Sequence, residues 1–62
     1  MADRYALRED HPGKWTVYDV FTGQPALYDD SILDGMDIQD ADEMAEILNL
    51  QDALRRAASE RP

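Results

Sequence analysis

Cysteine is missing from this chain of 62 residues, and histidine and tryptophan occur once each. Without cysteine there is no disulfide and no thiolate metal ligand. Long apolar runs are missing too: none approaches the ~20 residues that a membrane-spanning helix needs. Glycine and proline number only three each, so each one marks a break in the chain. Base is scarce, with 6 Lys and Arg against 14 Asp and Glu, for a formal net charge of -8. That sign argues against a nucleic-acid partner, because phosphate binding relies on basic side chains. The start, Met1-Ala2-Asp3-Arg4-Tyr5, lacks the basic and then apolar order of a signal peptide, which leads to the expectation of a cytoplasmic protein.

The shortage of base is local. Residues 1–28 carry a net charge of -1, and residues 47–62 carry +1. Residues 29–46 hold Asp29, Asp30, Asp34, Asp37, Asp40, Asp42, Glu43 and Glu46 with no base at all, a net charge of -8. Such a block is either a solvated linker with a helix start or an acidic docking surface. Asp29, Asp30, Asp34 and Glu46 are the candidates for the second role.

A chain this short buries roughly 60% of the surface its unfolded form exposes, which leaves a single domain marginal. Small domains are commonly stapled by disulfides, metals or oligomerisation. With the first two not indicated, a homodimer is expected.

Along the chain, segments 3–9 and 15–20 alternate and are rich in strand-forming types. Asp10-His11-Pro12-Gly13-Lys14 between them reads as a turn. Phe21-Thr22-Gly23 fits a three-residue hairpin loop with glycine in the left-handed position. A third strand is expected over 24–29, at a sheet edge because Pro25 cannot donate a ladder hydrogen bond. Pairing Glu9 with Trp15 sets Leu7 opposite Val17. Pairing Val20 with Gln24 sets Val17 opposite Leu27. The predicted sheet is a three-stranded antiparallel meander with a row Leu7–Val17–Leu27 on one face. The other face would present Tyr18, Val20, Ala26 and Tyr28 beside Arg4 and Arg8. Tyrosine and arginine are enriched at binding hot spots, so Arg4, Tyr18, Val20 and Tyr28 form a candidate partner face.

A linker is expected over 30–36, pivoting at Gly35, and a helix over 38–59 with Asp37 as N-cap. Acids crowd its first turns and Arg55 and Arg56 its end, as the helix dipole favours. Its apolar residues fall in two stripes. Ala41, Met44, Ala45 and Leu48 form one, suited to the sheet. Ile47, Leu50, Leu54 and Ala57 form the other, with the 3-4-3 spacing of a coiled-coil seam. Either the helix breaks near Asn49, or it is continuous and its second stripe meets another copy of the chain.

Little points to catalysis. His11 sits in a turn with no nucleophile indicated near it. No nucleophile elbow, phosphate loop, dinucleotide fingerprint or zinc-protease motif occurs. No cofactor is expected. A calcium loop read from Asp30 places Ile32 and Ala41 at ligand positions, so no EF-hand forms; an irregular weak site at Asp29, Asp30 and Asp34 stays open.

The stretch Trp15-Thr16-Val17-Tyr18-Asp19-Val20-Phe21-Thr22-Gly23-Gln24-Pro25-Ala26, followed by Ala41…Leu48-Asn49, resembles a pattern seen in short uncharacterised bacterial proteins. The resemblance implies a strand, a Thr-Gly turn, an edge proline and an acidic helix, and brings no activity with it. The sequence thus predicts an α+β domain and a non-catalytic, homodimeric interaction protein of the cytoplasm. The alternative is an acidic decoy that occupies a nucleic-acid-binding site on a partner protein.

Overall fold

Residues 3–59 are described in the computed structural model of the chain. The elements follow in the order β1 (Tyr5–His11), β2 (Lys14–Asp19), β3 (Leu27–Tyr28), β4 (Ser31–Ile32) and α1 (Ile38–Ser59). The class is α+β, with antiparallel strands and one C-terminal helix. No helix is long and apolar enough to cross a membrane among the described residues.

β1 and β2 form the expected hairpin in the expected register, with Glu9 opposite Trp15 and Leu7 opposite Val17. Gly13 closes the turn with φ 73°, a left-handed angle that a side chain would disfavour. One irregularity falls between Glu9 and His11. It leaves Asp10 as an extra residue, a bulge that frees its side chain from the ladder.

The third strand of the predicted meander does not form. The structure has two two-stranded sheets, β1-β2 and β3-β4. The chain does return along the free edge of β2: the Asp19 N–H donates to the Gln24 carbonyl and the Ala26 N–H to the Val17 carbonyl. This pairing is one residue out of the predicted register, so Ala26 rather than Leu27 meets Val17. The chain then leaves β2 and folds on itself as the β3–β4 hairpin, pairing Leu27 with Ile32 and Tyr28 with Ser31. It rejoins where the Val17 N–H donates to the Leu33 carbonyl, and Trp15 and Met36 then exchange two hydrogen bonds. The backbone of Val17 therefore closes the base of the hairpin from both sides. Asp29 and Asp30, at φ 53° and 67°, make its tip, with the paired positive angles of a type I′ turn. Two residues per strand cannot bury a side chain, and Leu27 and Ile32 stand 62% and 58% exposed.

α1 is continuous through Asn49, so the break considered there does not occur. Asp37 precedes it, and its carbonyl accepts the first helical hydrogen bond, from the Ala41 N–H. The stripe predicted to face the sheet does so: Ala41, Ala45 and Leu48 are buried with Val17, Ala26 and Leu33, and Met44 packs against them. Tyr5, Leu7, Trp15 and Met36 close the rim of this core.

Asn49, rather than breaking the helix, makes a tertiary contact. Its side-chain oxygen accepts the Tyr5 N–H at 2.8 Å, and its side-chain NH2 donates to the Tyr5 carbonyl at 3.0 Å. The amide thus stands in for one residue of a neighbouring strand and ties the middle of α1 to the start of β1. Truncation to Asn49→Ala leaves both backbone groups of Tyr5 unpaired in a half-buried place. It is expected to lower stability by about 1–3 kcal/mol, measured as a shift of the urea unfolding midpoint with an unchanged slope.

Candidate functional site

The side chain of Asp52 lies one turn beyond Leu48 on the sheet-facing side of α1 and is only 6% exposed. A carboxylate so placed needs cations, and three converge on it. Arg56 Nε lies 3.0 Å from Oδ2, and Arg55 Nη2 and Arg4 Nη1 each lie 3.5 Å from Oδ1. Arg4 also grips Asp19, with Nε and Nη2 at 3.1 and 3.0 Å from Oδ2. Its guanidinium stacks over the rings of Tyr5 and Phe21, 5.7 and 5.4 Å from their centroids. Asp19 turns its other oxygen to the Phe21 N–H at 2.9 Å. Arg4 is thus a structural tie between β1, β2 and α1.

This placement alters the predicted partner face. Arg4 is drawn to the helix, and Arg8 is the cation over Tyr18, 5.0 Å from the ring centroid. Arg8 also pairs with Asp10 at 3.0 Å and donates to the Gly23 carbonyl at 3.1 Å. Tyr18 is half-buried, Val20 is exposed, and Ala26 is in the core. Tyr28 stands on the β3–β4 hairpin, outside the β1–β2 ladder. Of the four, Arg4 and Val20 are joined through the backbone, the Val20 N–H donating to the Arg4 carbonyl at 2.9 Å, while Tyr18 lies on β2 and Tyr28 on β3.

The acidic candidates are likewise distributed. Asp29 and Asp30 form the hairpin tip, Asp34 lies in the loop before α1, and Glu46 is exposed on the helix. Among the described residues no group of three or more histidine or carboxylate side chains could hold a metal ion.

Asp34 borders an open cleft of about 410 Å³ with Asp10, His11, Lys14, Thr16 and Gly35. Thr16, 1% exposed, donates its hydroxyl proton to Asp10 Oδ2 at 2.7 Å. That hydrogen bond commits the hydroxyl as a donor inside the wall, so the Thr16–Asp10 pair steadies the bulge of β1. Sequence reasoning missed this pair, because alternation alone does not register a bulge.

The outward stripe of α1 leaves several large apolar side chains exposed on one element. Ile47 is 41% exposed, and Leu50 and Leu54 are 61% exposed each. Ala57 is exposed in line with them. These are the residues predicted for self-association, and the continuous helix aligns them on one side. Comparison with family models, curated proteins and solved structures returns no match to the chain.

Two carboxylates contribute to an acid response. The hydrogen bonds from Arg4, and then the Phe21 N–H, hold Asp19 below the usual carboxylate range. The Thr16 hydroxyl, and then Arg8, do the same for Asp10. Native values below the unfolded ones mean stabilisation that is fully present above the unfolded value near about 4. It is lost as the pH falls through that value towards the native ones. Unfolding midpoints measured between about pH 7 and pH 2 should fall along this limb. Asp19→Asn should start lower at neutral pH and show a shallower acid limb; a limb as steep as wild type would contradict the assignment.

Proposed function

We propose that this chain is a small non-catalytic protein-interaction module that works as a homodimer through the outward stripe of α1. The observation that carries the reading is the exposure of Ile47, Leu50 and Leu54 on a continuous helix whose opposite face is already buried. A helix that serves only its own sheet needs one apolar face. A second one, at coiled-coil spacing, suits another helix. The compartment in this reading is the cytoplasm.

The shape supports the same reading. The molecule measures 46 × 19 × 19 Å with a radius of gyration of 12.3 Å, against about 10.6 Å for a compact domain of this length. A helix of 22 residues is about 33 Å long. Its buried residues end at Asp52, so its last two turns add none to the core.

Sedimentation of the wild type beside Leu50→Asp/Leu54→Asp tests the proposal. The wild type should sediment as a dimer at tens of micromolar. The double variant should be monomeric with unchanged helical circular dichroism, since both side chains are exposed in the single chain. A monomeric wild type at high micromolar concentration would overturn the reading.

A further inference from the structure

The self-association proposed above leaves the direction of the second helix open, and the stripe itself constrains it. Its members, Ile47, Leu50, Leu54 and Ala57, are spaced 3-4-3, which reads the same from either end. We infer that two copies pair their α1 helices antiparallel, with the two-fold axis at the level of residue 52. This rests on the self-association reading. Ile47 of each copy then faces Ala57 of the other, and Leu50 faces Leu54. Each outer layer sets a large residue against a small one, and the two central layers are leucine on leucine.

Charge selects the same direction. Residues 38–46 carry Asp40, Asp42, Glu43 and Glu46 with no base, while residues 47–59 carry Arg55 and Arg56 against Asp52 alone. Asp52 is buried and answered by Arg4 as well as by its helix neighbours. The exposed charge of α1 is therefore negative at the start and positive at the end. Counting back from Ile47 by the seam spacing reaches Glu43 and then Asp40. A parallel pair would set Glu43 on Glu43 and Asp40 on Asp40, with both helix dipoles pointing the same way. Like charges so placed repel. An antiparallel pair carries the two acidic stretches to opposite ends of the seam and opposes the dipoles.

The area fits a dimer. The chain exposes 4672 Å², against about 4,100 Å² for a compact monomer of 7.1 kDa. If each copy covers its excess of about 600 Å², the pair buries about 1,200 Å², the lower bound for specific interfaces. The stripe lies roughly 150° around the helix from the buried one. The two sheets would then flank the helix pair on its outer sides, with nothing between the helices but the seam.

The chain has no cysteine, so introduced thiols report the direction without background. Ile47→Cys, Ala57→Cys and the double variant would each be oxidised with glutathione disulfide and run without reductant. Within one helix residues 47 and 57 are about 15 Å apart, too far for an internal bridge. The expected result is a covalent dimer from the double variant and from an equal mixture of the singles, linked 47 to 57 by peptide mapping. Each single alone should link at least tenfold less. Efficient 47–47 and 57–57 links in the singles would overturn the antiparallel direction while leaving the dimer standing. A sedimenting dimer with no link in any variant would place the interface elsewhere and overturn the direction too. A wild type that sediments as a monomer and variants that never link would overturn both readings.

Discussion

A carboxylate buried on a helix obliges the fold to bring cations to it. Asp52 is that carboxylate, and Arg4, Arg55 and Arg56 are the answer. Two of the three come from the same helix at i+3 and i+4 and fix nothing beyond it. Arg4 is different: it enters from the residue before β1 and at the same time holds Asp19 at the end of β2. One guanidinium thus sets the position of α1 against both strands of the hairpin. Asn49, one turn earlier, adds two hydrogen bonds to the backbone of Tyr5. Together they fix both the roll of the helix and its position along its axis. Removing Asp52's partners would leave a buried charge uncompensated, which is the costly half of any ion pair.

The polar ties matter because the core is thin. Its six buried apolar residues are Val17, Ala26, Leu33, Ala41, Ala45 and Leu48, three of them alanine. Alanine lets the helix approach the sheet closely but removes little apolar surface from water. The larger apolar residues are spent elsewhere: Phe21 is 77% exposed, and Leu27, Ile32, Leu50 and Leu54 are each more than half exposed. With so small a core, ion pairs and amide clamps supply the orientation that interdigitated large side chains supply in bigger domains. Once they hold α1 in place, the outward direction of Ile47, Leu50 and Leu54 follows from helix periodicity alone.

The legibility of the sequence follows from which signals were redundant. The β1–β2 register was readable because alternation and the Pro12-Gly13 turn agree on one pairing, and the structure has it. The helix was readable to its ends, 38–59, because an N-cap, a charge gradient and a periodic stripe coincide. The third strand failed where only one signal was available. The search for a long apolar row favoured Leu27 opposite Val17, whereas the backbone places Ala26 there, and a one-residue slip sends every following side chain to the other face. The β3–β4 hairpin escaped notice because its turn is Asp29-Asp30. Aspartate tolerates the left-handed region less readily than the Asn-Gly pair that usually announces such a turn. Arg4 was assigned to the open face by strict alternation, but a long side chain beside a strand end can reach around it to a buried charge. A break near Asn49 was one of two alternatives that local propensity left open, and the structure has the continuous helix, with Asn49 in a tertiary contact.

The acidic block divides once these positions are known. Asp37 and Asp40 sit where the N-terminal dipole of α1 favours them, and Asp29 and Asp30 make a turn. Asp42, Glu43 and Glu46 lie further along the helix, where the dipole's help fades. Asp42 and Glu46 are four residues apart and Glu43 and Glu46 three, both spacings at which like charges destabilise an isolated helix. Among the described residues no ion pair answers this repulsion within the single chain. In the antiparallel pair proposed above, these carboxylates stay at opposite ends of the seam, whereas a parallel pair would bring the two sets side by side. The local repulsion then becomes a means of rejecting the parallel alternative. A penalty on the competing arrangement is one of the two ways by which charge selects a direction.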